Sequence, residues 1–235
     1  MKKILIIMAM EAEAMPIIEK LGLKKLPINE KLHSCFPRYR GEYEGNDIII
    51  SLNGKSKEYG VDRIGTEYAA LNTQSAIIEF FPDLIINAGT CGAFSADANI
   101  ADIITTDQPA MYHDHRVPIE GFAEFARGHY PTIHRPEYFE GVDFKLGVVT
   151  TGSSLDMPQI DEEHIRNNKG MAKEMECASV AAAAQLHGID FFPIKSVTDL
   201  IDVEVDNVEQ FLENLNKASA KLGETLIQVL KNISN

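Results

Sequence analysis

The sequence contains no apolar run of about 18 residues, the length that marks a helix able to cross a membrane. It has only three cysteines, Cys35, Cys91 and Cys177, odd in number and far apart. No CxxC or Cys/His spacing suggests zinc and no disulfide framework is implied, so a reducing, cytoplasmic setting is expected. Positive charge is scarce: 22 Lys and Arg stand against 35 Asp and Glu, a formal net charge of −13. Such a chain repels phosphate backbones and anionic lipid heads, which argues against nucleic acid and membrane surfaces as partners. No block of like charge marks a tail. No repeat, low-complexity tract or linker divides the chain, so a single domain over residues 1–235 is expected. The opening MKKILIIMAMEAEAMP resembles a signal peptide only until Glu11 and Glu13 break its apolar run; a first buried strand suits it better.

What the sequence does have is a hydrophobic fraction of 45%, ample for a sizeable core. Residues 4–10 and 84–88 are short continuous apolar runs, the pattern of strands covered on both faces. Residues 101–106, 144–150 and 191–197 read as further strands. Helices are expected over 11–23, closing near Gly22, over 60–80, from about Glu176 to Gly188, and over 208–233. Gly45-Asn46 between residues 38–44 and 47–52 signals a hairpin. Residues 107–143 form a long loop-rich segment, a length usually tied to function or irregularity. Strands alternating with helices predict a three-layer α/β/α fold around a central mixed, largely parallel twisted sheet.

In open α/β sheets ligands gather beyond the carboxyl ends of the strands, so the residues there are the candidates. They are Glu11 and Glu13, then Gly89-Thr90-Cys91-Gly92, then Thr151-Gly152-Ser153-Ser154, then Glu174-Met175-Glu176, then Thr198-Asp199. Each has a structural reading when taken alone. Glu13 and Glu176 suit first turns of helices, Gly89 and Gly92 suit a tight turn, and Asp199 suits a turn cap. Cys91 and Cys177 suit packing. His113, Asp114 and His115 resemble metal ligands but have no third partner at ligand spacing.

The set as a whole is harder to dismiss. MAMEAEAMP, INAGTCGAF, HDHRVPI, TGSSLDM, KEMECASVAAAA, KSVTDLID and VEQFLENL, in this order, resemble the methylthioadenosine/S-adenosylhomocysteine nucleosidases of the nucleoside phosphorylase superfamily, the plant-type branch above all. The resemblance runs from Met8 to the last helix. It implies hydrolysis of the N-glycosidic bond of a 5′-thio adenine nucleoside, with no metal and no organic cofactor, by a homodimer. It assigns Asp199 as the acid that protonates adenine N7, with Thr198 orienting it, and Glu13 as the base that activates water. It places Glu176 on a ribose hydroxyl and Met175 against the sugar. Lys195 falls near the water, paired with Glu13 or Glu176. Thr90 and Cys91 become the wall beside ribose and base, and Leu155 and Met157 lie against adenine. Pro118 and Ile119, from this chain or a second subunit, are candidates for the alkylthio slot.

Three departures bear on substrate preference: Ser153 where the family has an acid, Cys177 where it has a smaller residue, and the segment 53–57. The rival readings are a nucleoside phosphorylase, which needs arginines for phosphate, and a non-catalytic nucleoside-binding protein, which would have lost the acids. A nucleosidase for AMP or a futalosine-like nucleoside is a third.

Overall fold

The computed structural model describes residues 1–28, 35–203 and 207–234. At its centre is β1 (Lys3–Met8). Ile4, Ile6 and Met8 point to one side of the sheet and Leu5 and Ile7 to the other, and all five are fully buried. Alternation in direction without alternation in polarity is what a strand covered on both faces requires. The chain then enters α1 (Glu11–Leu21). This helix closes on Gly22, whose left-handed φ of 63° lets its N–H reach back to the carbonyls of Ile18 and Glu19.

β2 (Lys24–Lys25), β3 (Arg38–Tyr43) and β4 (Asn46–Leu52) form one wing of the sheet. The turn between β3 and β4 falls on Glu44-Gly45, one residue earlier than expected. Both residues take positive φ, 48° and 74°, the backbone that matches a two-residue turn to strand twist. There follow α2 (Thr66–Phe80), β5 (Leu84–Ala93), β6 (Ile103–Thr105), β7 (Met111–Tyr112) and α3 (Phe122–Arg127). A single 3₁₀ turn at Pro136–Phe139 precedes β8 (Lys145–Leu146), β9 (Val148–Thr151) and α4 (Gln159–Asn167). The chain ends with β10 (Gly170–Glu174), α5 (Cys177–His187), β11 (Asp190–Leu200) and α6 (Asn207–Ile233).

Strands pair in the order β2-β3-β4-β1-β5-β10-β9-β7, while β11 pairs β5 and β6, and β6 pairs β8. β1 runs parallel to β4 and β5, and β5 runs parallel to β11 along nearly its whole length. On one face, α1 and α6 cover the sheet through Ile17, Ile18, Leu222, Leu226 and Val229. On the other, α2 and α5 cover it through Ala69, Ala76, Val180 and Ala184. The small side chains of α5 let it pack closely against α2 and stay buried along most of its length. The three-layer α/β/α architecture with a mixed sheet is thus the one expected from the pattern of elements.

Several local expectations are corrected. Gly89-Thr90-Cys91-Gly92 is not a turn but the second half of β5, held extended because β11 pairs with every residue from Gly89 to Ala93. Thr198 and Asp199 likewise lie inside β11, not beyond it, at a bulge between Val197 and Asp199. Residues 60–65 precede α2 instead of opening it, and 144–150 is broken into β8 and β9 at Gly147. β2, β7, β10 and α4 carry no apolar periodicity long enough to have been read.

α6 lays a full apolar stripe on the sheet, and Leu226 at its middle is completely buried. Leu226→Ala is expected to lower the unfolding free energy by about 2–5 kcal/mol in urea denaturation, whereas Leu212→Ala, on the exposed side of the same helix, should leave it nearly unchanged.

Candidate active site

A gap in strand pairing creates the site. β1 leaves the edge of β5 after Asn87, and β10 does not take that edge up until Gly92. The N–H of Thr90 is therefore free of the ladder on that side, and Glu13 from the first turn of α1 fills the vacancy. Its Oε1 accepts both the amide and the hydroxyl of Thr90, each at 2.8 Å, and its Oε2 accepts the N–H of Met10 at 3.3 Å. Burial raises the Glu13 pKa above the ordinary carboxylate range; the Thr90 bonds and the charge of Lys195 offset part of the rise.

The stretch KEMEC is a strand end followed by a helix start. Glu174 ends β10, and Glu176 occupies the N-cap position of α5. Glu174 is the helix's anchor. It accepts the amides of Glu176 (2.9 Å) and Cys177 (2.9 and 3.1 Å) and the hydroxyl of Thr151 (2.5 Å). It also receives Lys195 Nζ at 2.7 Å, with both side chains only 1% exposed. Lys195 therefore pairs with Glu174, not with Glu13 or Glu176, because β10 and β11 bring those two residues together beneath the cleft floor. Burial alone would lower the Lys195 pKa, but Glu174 and the other anions around it outweigh burial and raise it.

Glu176 is thereby released from capping. Its Oε1 accepts the N–H of Gly65, the residue before α2, at 2.8 Å. Burial and then the nearby Glu174 charge push its pKa up to about 7.

On the far side, the β11 bulge admits Thr198 as an extra residue. Its hydroxyl donates to Asp199 Oδ1 at 2.8 Å. Asp199 is 3% exposed, and burial raises its pKa, with the Thr198 hydroxyl and the charge of Lys173 opposing. Gly92 makes the room: a Cβ there would sit 2.7 Å from Asp199 Oδ2 and 2.5 Å from a methyl of Ile201.

These groups line one cleft whose free space, including its open mouth, is about 700 Å³, a size suited to a small organic molecule. Glu13, Thr90, Cys91, Leu155, Met175, Glu176, Thr198 and Asp199 are all on its wall, as expected. Lys195 lies behind the wall. Met157 is not on it, and within this subunit neither is Ile119. It is 59% exposed, beside a separate hollow that Val117 and Pro118 help to line. Within one subunit, neither Pro118 nor Ile119 reaches the cleft.

Sequence reasoning missed Lys173, Ile64, Ile201 and Phe211, which also line the cleft. Apolar residues in loops and at a helix start carry no periodic signal, but a lysine in a strand that is otherwise buried was a signal available to be read. Among the described residues, no group of three or more His, Cys, Asp or Glu side chains is arranged to hold a metal ion. His113 is buried, His115 stacks on Tyr112, and Asp114 accepts the N–H of Ser153 at 2.7 Å.

The sequence profile of the phosphorylase superfamily matches residues 3–231. The chain belongs to that superfamily. Within it, the chain is 37% identical to a 5′-methylthioadenosine/S-adenosylhomocysteine nucleosidase of Arabidopsis thaliana, over 98% of this chain and 91% of the relative. The solved structure of Arabidopsis thaliana 5′-methylthioadenosine nucleosidase, in apo form, superposes with a TM-score of 0.94 at 35% identity, covering 100% of this chain and 96% of that one. A methylthioadenosine/S-adenosylhomocysteine nucleosidase from Colwellia psychrerythraea, solved in complex with adenine, superposes at 0.81 with 26% identity, covering 98% and 95%.

The cause of the Glu176 shift is testable. In ¹³C-Glu NMR a carboxyl should titrate near pH 7 in the wild type. Glu174→Gln removes a neighbouring anion and frees Lys195, and both changes favour the ionised form, so that midpoint should fall. A midpoint that stays put or rises would refute the assigned cause.

Proposed function

We propose that the chain is a single nucleoside phosphorylase-like domain that hydrolyses the N-glycosidic bond of 5′-methylthioadenosine, and of S-adenosylhomocysteine beside it, releasing adenine and a 5-thioribose. The observation that carries the reading is the convergence of Glu13, Glu176 and Asp199 on one cleft from three distant parts of the chain.

Each carboxylate has an environment fitted to a different task. Asp199 is poised to protonate N7 of the departing adenine, because burial raises its pKa above the ordinary value and so favours the protonated form. Thr198 fixes the orientation of its carboxyl. As the bond breaks, positive charge grows on the ribose, and the anionic floor of the cleft stabilises it. Glu176 grips a ribose hydroxyl, and Met175 packs against the sugar. Glu13 takes a proton from water on the face opposite adenine. Its two Thr90 bonds hold Oε1 in place during that transfer. Leu155 and Cys91 supply apolar and close-fitting surface for base and sugar.

Water is a better nucleophile for this cleft than phosphate. The lining contains Glu13, Glu174, Glu176 and Asp199 against one cation, Lys173, and Lys195 is neutralised by Glu174. A phosphate dianion would meet carboxylates where it needs arginines. A non-catalytic binding role is disfavoured because it gives no reason to bury three acids at raised pKa.

Pairing of two chains would complete the apolar slot for the alkylthio group. Tyr68, Leu71 and Ile78 on α2, with Phe122 and Phe125 at α3, are exposed apolar side chains that a partner subunit would cover. Three free thiols, with Cys35 exposed, suit a cytoplasmic location.

The purified protein should release adenine from methylthioadenosine in phosphate-free buffer, at a rate that added phosphate does not increase. A strict phosphate requirement would reverse the choice of nucleophile. Asp199→Asn should lower kcat by about a hundredfold to ten-thousandfold with the thermal unfolding midpoint retained. Glu13→Gln should lose turnover while still binding substrate in calorimetry.

A further inference from the structure

Gly92 is the register partner of two charged residues at once. β10 sets Lys173 opposite it on one edge of β5, and β11 sets Asp199 opposite it on the other. Residues directly opposite in paired strands send their side chains to the same face. Lys173, position 92 and Asp199 therefore form one row across three strands, and the middle of the row has no side chain. Asp199 leans into that space: its Oδ2 lies 2.7 Å from where a Cβ of residue 92 would be. Both Lys173 and Asp199 are on the cleft wall.

Lys173 is 5% exposed, and its ammonium donates to the carbonyls of Ser154 (2.5 Å) and Leu155 (3.0 Å). Those carbonyls belong to the segment after β9 that carries Leu155 over the cleft. The segment's other fastenings are at its first two residues. The N–H of Gly152 donates to the carbonyl of Glu174 at 3.0 Å. The N–H of Ser153 is held by Asp114, and its hydroxyl lies 2.7 Å from that of Thr66. Of these fastenings, Lys173 alone holds the part of the segment that borders the cleft.

Resting on the proposed hydrolysis of an adenine nucleoside, we propose that Lys173 is a positioning residue for that reaction: it holds the adenine-facing loop through the Ser154 and Leu155 carbonyls and sets a positive charge beside Asp199 across Gly92. A buried ammonium on the same row as the acid favours the ionised carboxylate and so limits how far burial can push Asp199 up. Without that restraint the acid would hold its proton too tightly to give it to N7. The other groups around the pair are few. Asp114, Asp156 and Asp161 stabilise the Lys173 charge, which burial disfavours; His113, from the segment after β7, is neutral near pH 7 because burial holds its pKa at about 4. From β11 itself, the Thr198 hydroxyl bonds Asp199. None of these supplies a second cation to Asp199.

Two variants separate the two tasks. Lys173→Gln removes the charge but keeps an N–H donor, and Lys173→Met removes both at similar size. The Asp199 carboxyl is followed by ¹³C-Asp NMR against pH, assigned with Asp199→Asn, and free adenine binding is measured by calorimetry. Both are read on variants whose circular dichroism matches the wild type. In both variants Asp199 is expected to titrate at higher pH than in the wild type, and the alkaline limb of kcat/KM for methylthioadenosine should move up with it. Lys173→Met should in addition bind adenine about tenfold more weakly, as loss of charge-assisted bonds to the loop implies; Lys173→Gln should lose less. The proposal is overturned if Asp199 titrates as in the wild type in Lys173→Gln, or if a folded Lys173→Met binds adenine undiminished. The NMR titration needs no turnover. An inactive wild type would thus count against the nucleosidase reading, while an unmoved Asp199 in an active enzyme would count against Lys173 alone.

Discussion

The buried contact between Glu174 and Lys195 is the joint on which the site depends. One carboxylate ends β10, accepts the first amides of α5, takes the Thr151 hydroxyl from β9 and meets an ammonium from β11. Four elements are fixed to one another at a point with almost no solvent. Removing one partner of such a pair leaves a buried charge alone and costs about 3–5 kcal/mol. Its larger consequence is for the neighbours. Because Glu174 caps α5, the side chain at the N-cap position, Glu176, is free to face the cleft. Because Lys195 is committed to Glu174, its positive charge reaches Glu13 and Glu176 only from a distance, and both stay above the usual carboxylate range.

Much of this was legible in the sequence, and what was not has identifiable causes. The double-faced apolar runs at 4–10 and 84–88 gave the central strands, and Gly22 and Gly188 gave helix ends, both in the left-handed backbone that glycine favours. The layers and the convergence of Glu13, Glu176 and Asp199 followed from the motifs taken together. The glycine-rich stretch 89–92 misled because glycine and threonine suit turns locally. Here pairing with β11 overrides local preference, and the small side chains serve the space above the strand instead. The partner of Lys195 could not be read, since spacing along the chain does not say which of three nearby glutamates faces which strand. β10 was hidden by its own function, because Lys173 and Glu174 break the apolar pattern that marks a buried strand. Polar residues in a covered strand are costly unless partnered, and each here has partners. A residue that violates the pattern in this way is a better pointer to a site than one that obeys it.

The cleft divides its charges unequally. Glu13, Glu174 and Glu176 lie around a single ammonium, Lys195, so that part of the floor stays negative after pairing. Asp199 sits apart from them, bonded to one hydroxyl and sharing a sheet row with one cation. Two kinds of carboxyl thus coexist within one small volume. In the proposed reaction Glu13 and Glu176, which Lys195 does not pair, stabilise a cation on the floor and Glu13 accepts a proton, while Asp199 on the wall gives one up. Carboxyl groups in unlike settings are how one site performs acid and base work at the same pH. In the proposed reaction the bond to be cleaved must lie between the two regions, sugar over the glutamates and base beside Asp199. That orientation follows from the charge distribution itself: a sugar acquiring positive charge is drawn to the floor, and a purine acquiring negative charge is drawn to the proton on the wall. A nucleoside bound the other way round would have its leaving group over carboxylates and its nascent cation beside Lys173, so the same electrostatics that favour one orientation oppose its reverse.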